Sequence, residues 1–194
     1  MHMELLINRN LVFAENRVIE TERLILRPIT LEDVEDIFEY AHDVETTRFV
    51  FPRHQSIEDT KISVANFFMA SPLGKYAIEW KENRKMIGTI DLRIQEGDDT
   101  AELGYALNKK YWGKGIMPEA GKALLKLGFE KMDLVRIFAY HNTKNSKSGR
   151  VMDKLGMREE AVIPDAKREK GEIISIVLKG ITKKAWLEGH PKTS

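Results

Sequence analysis

The hydrophobic period of this chain changes near residue 110, and that change limits the folds that the chain can adopt. Before it, three segments alternate apolar and polar residues, at 75–80, 86–94 and 100–107, with short polar turns between them. Such a pattern predicts an antiparallel β-meander. After it, apolar residues recur at helical spacing over 120–127, which predicts a helix. The middle of the chain therefore passes from an antiparallel sheet into a β-α-β crossover.

The flanking segments extend this pattern. A strand is predicted at 23–29, followed by helices at 31–41 and from Ser56 onward. A strand at 134–140, a helix ending near Gly156 and two strands around a polar loop at 164–171 complete the order. We therefore expect an α/β fold of the α+β mixed-sheet kind. It has a central, mostly antiparallel sheet of about seven strands with helices on both faces.

Composition and charge exclude several classes of protein. The chain has 194 residues, no cysteine and a net charge of +1. Disulfides and a cysteine nucleophile are excluded, and the absence of a basic surplus predicts no nucleic-acid partner. The histidines lack ligand spacing, so no metal site is expected. The first 16 residues lack the long apolar run of a membrane segment, so we expect a cytoplasmic protein that does not bind membranes. We expect a single domain over 1–194, with a core at about 21–186 and an N-terminal extension at 1–20.

A glycine-rich turn at 110–116 lies between a predicted strand and a predicted helix. Gly113 and Gly115 let the backbone turn tightly and approach a ligand, and the helix start adds unpaired N–H groups. Lys110 and Lys114 add positive charge. The turn predicts a phosphate or pyrophosphate site, although a plain connecting turn has the same residues.

These residues carry a family resemblance. The spacing Lys110-x-x-Gly113-x-Gly115 resembles the Arg/Gln-x-x-Gly-x-Gly/Ala signature of the GCN5-related N-acetyltransferases (GNAT), with Lys in first place. The stretches 21–27, 101–105 and 145–157 are similar to the branch that acetylates the N-termini of ribosomal proteins, the Rim type. The four motifs lie in the expected order and span nearly the whole chain.

The resemblance implies a GNAT-like fold that binds acetyl-CoA as a cosubstrate where two strands splay apart, those ending in Leu107 and Tyr140. The backbone near Leu103 and Tyr105 is expected to pair with the pantetheine arm and to polarise the thioester, as an oxyanion site does. Asn145 is expected to hydrogen-bond the same arm. The pyrophosphate is expected on the loop, at Lys110, Tyr111, Trp112, Gly113, Lys114, Gly115 and Ile116.

Two catalytic residues are predicted. Glu102 is the candidate base, with an exposed strand carboxylate paired with a lysine as the alternative reading; Asp91 is a lesser candidate. Many family members have a tyrosine acid at the position of Met152, so Ser148 is the candidate substitute here. The alternative for Ser148 is packing of its helix against the cofactor.

The expected enzyme is an acyltransferase in which a primary amine attacks acetyl-CoA directly. A protein N-terminal α-amine, of the ribosomal-protein type, is the leading acceptor. A polyamine, an aminoglycoside or another small amine is the alternative acceptor, and a non-catalytic acyl-CoA-binding module is the alternative class. The segments 49–53 and 164–171 are expected to border the acceptor site, in a monomer or a homodimer.

Overall fold

A computed structural model describes residues 7–95 and 97–190. Its strands form one sheet of eight strands in the order β1-β2-β3-β4-β5-β6-β8-β7. Residues 1–6 of the predicted N-terminal extension and Glu96 of a predicted turn lie outside the described residues. The strand bounds are β1 Ile19–Glu20, β2 Leu24–Arg27, β3 Lys75–Trp80, β4 Lys85–Gln95, β5 Thr100–Leu107, β6 Arg136–Asn142, β7 Arg158–Glu169 and β8 Glu172–Thr182.

In the part of the chain that the structure describes, seven α-helices connect or flank these strands. A 3-10 turn precedes α2, and π-helical segments at Val64–Met69 and Leu127–Lys131 extend α4 and α5. The helix bounds are α1 Arg9–Glu15, α2 Val34–Ala41, α3 Val44–Thr47, α4 Ile57–Ser63, α5 Ile116–Lys126, α6 Ser146–Lys154 and α7 Lys183–Gly189.

The sheet is mixed, as predicted. Neighbouring strands are antiparallel throughout the described sheet except β5 and β6, which are parallel. The parallel pair results from the β5-α5-β6 crossover, which is the point where the hydrophobic period of the sequence changes. The predicted meander is β3, β4 and β5.

The two faces of the sheet bury two separate apolar clusters. On one face, which we call face A, side chains such as Leu92 and Leu103 pack with those of α5. On the other, face B, Ala77 and Ala106 pack with α2 and the helical segment 57–69. Helices therefore cover both faces, and alternation along β4 and β5 decides which side chains point to each.

Local signals in the sequence set several helix ends. Thr30 with Asp33, and Ser56 with Asp59, form capping boxes at the starts of the two helical segments that the sequence predicts there. Gly156 follows α6 with a left-handed φ of 79°, a conformation that glycine adopts without strain.

Two sequence expectations differ from the structure. Within 7–95 and 97–190 the sheet has eight strands rather than about seven, because the two-residue strand β1 forms in the predicted extension. The expected polar loop at 164–171 is wrong: β7 continues to Glu169, with an irregular register between Ile163 and Lys167, and the turn lies at 170–171. The polar and proline residues misled the prediction because β7 is an edge strand, where such residues are tolerated. After β8, helix α7 carries the buried Trp186.

Candidate active site

Strands β5 and β6 part in the middle of the sheet. They pair at Thr100–Arg136, Ala101–Ile137 and Glu102–Phe138. Beyond this point β5 pairs with β4 as far as Leu107, and β6 pairs with β8 as far as Asn142. The splayed strands expected at these ends are confirmed, and residues 103–107 have one backbone edge that β6 does not cover.

The glycine-rich turn follows β5 and leads into α5. Gly113 and Gly115 have φ angles of 77° and 74°, in the region that favours glycine. A Cβ built on Gly113 would meet no atom within 4 Å. Gly115 is the N-cap of α5 and supplies no side-chain cap, so the first amides at the positive dipole end of this helix are left without a capping side chain from this residue.

Arg23 fixes the position of this turn. Its guanidinium donates to the Lys114 carbonyl at 2.9 Å and to the Glu119 carboxylate at 2.7 Å. The Thr21 hydroxyl also donates to Glu119, at 2.6 Å. Burial opposes the charge on Glu119, but these hydrogen bonds outweigh it and lower its pKa. The opening motif of the sequence therefore holds the first turn of α5.

Of the two lysines of the turn, Lys110 reaches away from it. Its ammonium lies 2.7 Å from a Glu39 carboxylate oxygen on α2. Hydrogen bonds from Lys110 and from Lys85 to this carboxylate lower the pKa of Glu39 to about 2. Lys114 is exposed and lies 5.1 Å from the centre of the Tyr111 ring. Two other residues of the loop differ in burial. Trp112 is half-buried, and its indole N–H donates to the Leu107 carbonyl, whereas Ile116 is buried.

Asn145 and Ser148 lie at the start of α6. The Asn145 side-chain oxygen caps the helix by accepting the Ser148 amide at 3.3 Å. The Ser148 hydroxyl lies 2.9 Å from the hydroxyl of Tyr105, which projects from β5 on face A. Burial raises the pKa of Tyr105, so its phenol remains protonated. The predicted cofactor residue Tyr105 and the predicted acid Ser148 are thus in direct contact.

Face B carries a charged cluster at the level of the gap. Arg93 on β4 donates to Glu102 at 2.6 Å and lies 3.1 Å from Asp91. The predicted base Glu102 is therefore paired, with an arginine rather than the lysine of the alternative reading. Asp91 is 7 % exposed, and burial raises its pKa.

A cavity of about 1300 Å³ joins the gap, the turn and face B. Beside the charged cluster, one of its walls is mostly aromatic and apolar, formed by Phe49, Val50, Phe51, Pro52, Phe67 and Phe68. Lys167 and Glu169 line it from the other side. Both segments predicted to border the acceptor site therefore line this cavity, 164–171 through strand β7 rather than through a loop.

Two long-range contacts were not found from the sequence. Lys170, at the tip of the β7–β8 hairpin, donates to the carbonyls of Thr47 and Arg48 at the C-terminal end of α3. Lys147 on α6 pairs with Glu45 on α3 at 3.1 Å. Both join segments more than 100 residues apart, and nothing in their local pattern marks such partners.

A family model described as the acetyltransferase (GNAT) domain matches residues 23–158. The chain belongs to the GNAT acetyltransferase family. Its GNAT relatives include an uncharacterised N-acetyltransferase, p20, of Bacillus licheniformis, which is 29% identical over 86% of this chain and 96% of that protein. A GNAT-family acetyltransferase structure from Bacillus anthracis has a TM-score of 0.79 and 29% identity, covering 86% of this chain and 99% of that one. The [Ribosomal protein uS5]-alanine N-acetyltransferase of Escherichia coli is 31% identical over 45% of each chain.

The GNAT family uses acetyl-CoA, and the site has features that suit this molecule. The open space at Gly113 leaves the loop backbone accessible, and amides of this kind bind phosphate groups. Along the chain at 7–95 and 97–190, no cluster of three or more His, Asp or Glu side chains could hold a metal ion. Within the same ranges, no helix is long and apolar enough to cross a bilayer.

Proposed function

We propose that this GNAT enzyme transfers the acetyl group of acetyl-CoA to a protein N-terminal α-amine. The parting of β5 and β6 beyond Glu102, next to the open glycine turn, is the observation that carries the proposal. The pantetheine arm enters this gap beside the backbone of Leu103 and Tyr105, and Asn145 adds a polar contact. The pyrophosphate lies on the amides of residues 110–116.

The lining of the acceptor side favours an apolar residue next to the amine. Phe49, Phe51 and Phe67 provide an apolar wall, which suits the first side chain of a peptide. The charged residues that line the cavity show no acidic surplus. The acidic ones are Glu45, Asp59, Asp91, Glu102 and Glu169, and the basic ones are Arg48, Arg53, Arg93, Lys144, Lys147, Arg150, Lys154 and Lys167. A polycation such as a polyamine needs an acidic surplus, so the lining favours the peptide.

The similarity to the Escherichia coli ribosomal-protein acetyltransferase supports the same acceptor. The similarity covers 88 residues. The acetylation of a ribosomal protein that the name of this relative describes is the activity of the relative. An α-amine has a reference pKa near 7.7–8.0, roughly 2.5 units below that of lysine. A modest base therefore suffices to make it neutral.

In this proposal Ser148 assists the leaving group and Tyr105 orients it. The Tyr105 hydroxyl lies 3.1 Å from the Ser148 carbonyl and donates to it, which leaves the Ser148 hydroxyl proton free to point toward the gap. A hydroxyl donor stabilises the developing thiolate without having to ionise. The Ser148 hydroxyl thus takes the role of the tyrosine that is absent at Met152.

A competition assay tests the acceptor class. Equal concentrations of N-terminal peptides, N-blocked lysine peptides, spermidine and an aminoglycoside are incubated with acetyl-CoA and the enzyme, and mass spectrometry locates the acetyl group. We expect it on the α-nitrogen of peptides with an apolar first residue. Acetylation of spermidine or the aminoglycoside in preference to every peptide would overturn the proposed acceptor, and no acetylation at all would overturn the amine transfer itself.

A further inference from the structure

Asp91, Arg93 and Glu102 form a charged cluster on face B, under the helical segment 57–69. The Arg93 guanidinium contacts both carboxylates, Glu102 at 2.6 Å and Asp91 at 3.1 Å. The two carboxylates are not equivalent, however. Glu102 belongs to the last residue pair that joins β5 to β6, whereas Asp91 lies opposite Gly104, where β5 has already parted from β6.

Gly104 brings Asp91 close to the expected position of the thioester. A Cβ at Gly104 would lie 2.9 Å from an Asp91 carboxylate oxygen and 2.9 Å from Arg93. The absence of a side chain therefore makes room for this ion pair directly against the β5 backbone. Gly104 is the residue between Leu103 and Tyr105, the two whose backbone is proposed to hold the pantetheine arm.

The Asp91 carboxylate is buried but incompletely satisfied. Its Oδ1 atom lies 3.1 Å from an Arg93 guanidinium nitrogen, but within 7–95 and 97–190 no donor reaches this oxygen with hydrogen-bond geometry. Lys75, its neighbour on β3, directs its ammonium to the carbonyl of Phe67. A buried carboxylate oxygen without a donor is costly, and an acceptor ammonium would supply the missing donor.

Other ionisable groups face the same space. Arg93 lies on the same strand, Lys75 on β3 and Glu102 on β5, and their charges act on Asp91 in addition to its burial, which raises its pKa. His54 and Asp59 line the cavity from the loop before α4 and from α4. Burial lowers the pKa of His54, which keeps this ring neutral near pH 7.

We propose that Asp91 is the residue that takes the proton from the acceptor amine, and that Glu102 positions it by holding Arg93. This inference rests on the proposed amine acetyltransfer. The ammonium gives one proton to Asp91, and the neutral nitrogen forms the N–C bond to the acetyl carbonyl. The C–S bond then breaks, and the second proton lost by the nitrogen ends on the coenzyme A sulfur. The products are the amide, free coenzyme A and one proton, which Asp91 releases to solvent.

The experiment compares the wild type, Asp91→Asn and Glu102→Gln by kcat/KM from pH 6 to pH 9.5, on the best acceptor of the competition assay. Acetyl-CoA affinity, measured by calorimetry, shows whether each variant still folds and binds. We expect Asp91→Asn to lower kcat/KM about a hundredfold at pH 6.5, with the deficit shrinking above pH 8.5 as the free amine becomes neutral. We expect the kcat/KM of Glu102→Gln to fall by less than about tenfold and its pH profile to keep the shape of the wild-type profile.

Each outcome decides between the two proposals. If the wild type turns over and Asp91→Asn keeps its rate and pH profile, the role of Asp91 is wrong while the proposed function stands. A larger loss and an altered profile in Glu102→Gln would instead assign the base to Glu102. A wild type that acetylates no amine would overturn the proposed function and this inference with it.

Discussion

The hydroxyl of Tyr105 on β5 lies 2.9 Å from the hydroxyl of Ser148 on α6. This contact joins β5 to α6, the helix that follows β6, at the level where β5 and β6 have parted. Because it connects a predicted cofactor residue with a predicted acid, it gives a direct test of how the leaving group is stabilised.

Ser148→Ala is expected to lower kcat about 10- to 100-fold, since a hydrogen bond to a charged group is worth about 1.5–3 kcal/mol. Tyr105→Phe is expected to lower kcat by a smaller factor, because it removes only the group that orients Ser148. Steady-state kinetics of both variants check this, and KM for acetyl-CoA is expected to change little. A Ser148→Ala variant with the kcat of the wild type would limit Ser148 to packing against the cofactor.

The glycine turn can be tested with a matched pair of substitutions. Gly113 and Gly97 both have a positive φ, at 77° and 92°, and a Cβ at either position meets no atom within 4 Å. Gly113→Ala and Gly97→Ala should therefore carry a similar backbone cost of about 1–2 kcal/mol. We expect only Gly113→Ala to weaken acetyl-CoA binding, by about tenfold or more, as measured by calorimetry. Equal affinity in the two variants would show that the turn does not hold the cofactor.

Much of the fold followed from local patterns. The three meander strands, two capping boxes and Gly156 after α6 were all marked by short-range signals, because alternation and capping depend on residues a few positions apart. Strand β1 was not predicted, because a strand of two residues is too short to show an alternation of apolar and polar residues. The continuation of β7 through 164–169 was missed because its partner β8 lies beyond the turn, and the sequence does not show which edge is paired.

The site was less accessible to sequence reasoning than the fold. The glycine turn could be identified because backbone conformation at glycine is a local property. Alternation along β4 placed Asp91 and Arg93 on one face, but their burial and their distance from Gly104 depend on the register between β4 and β5. The contact between Tyr105 and Ser148 spans 43 residues, and only the assembled sheet brings them together.

The lowered pKa of the Glu119 carboxylate makes the stability of the fold depend on pH. Its folded pKa lies below the ordinary value of 4.5, so its ionised form stabilises the fold above that value and the contribution is lost as the pH falls through the folded pKa. Glu119→Gln is therefore expected to be destabilised at pH 7. The difference between the wild type and the variant in urea unfolding should shrink as the pH falls below 4.5 and through the lowered folded pKa. A difference that stayed constant from pH 7 to pH 3 would contradict the assigned ion pair with Arg23.

The contribution of Asp91 to stability depends on pH in the opposite direction to that of Glu119. Because its folded pKa is raised by burial, its contribution to stability is present at low pH and is lost as the pH rises through the folded pKa. Asp91→Asn is expected to unfold at the same temperature as the wild type at pH 7 or at a higher one, despite its loss of activity. A large fall in Tm for this variant would indicate that the carboxylate is structural.

Substitution of Lys170 tests whether the aromatic wall of the cavity contributes to acceptor binding. Its ammonium holds the carbonyls of Thr47 and Arg48 at 2.6 and 3.1 Å, so Lys170→Ala should loosen the segment that leads into the aromatic wall. We expect a severalfold rise in the acceptor KM with acetyl-CoA affinity unchanged. Lys184→Ala, at an exposed position on α7, serves as the control. Equal acceptor KM values in the two variants would contradict this role.

We propose that acetyl-CoA binds in the gap between β5 and β6, beside the glycine turn. Hydrogen exchange followed by mass spectrometry, with and without saturating acetyl-CoA, locates the bound molecule. We expect about tenfold or greater slowing of exchange in peptides covering residues 103–117 and 145–148, with little change in the turn at 97–99. Protection confined to other parts of the sheet, or no protection at a concentration that saturates binding, would contradict it.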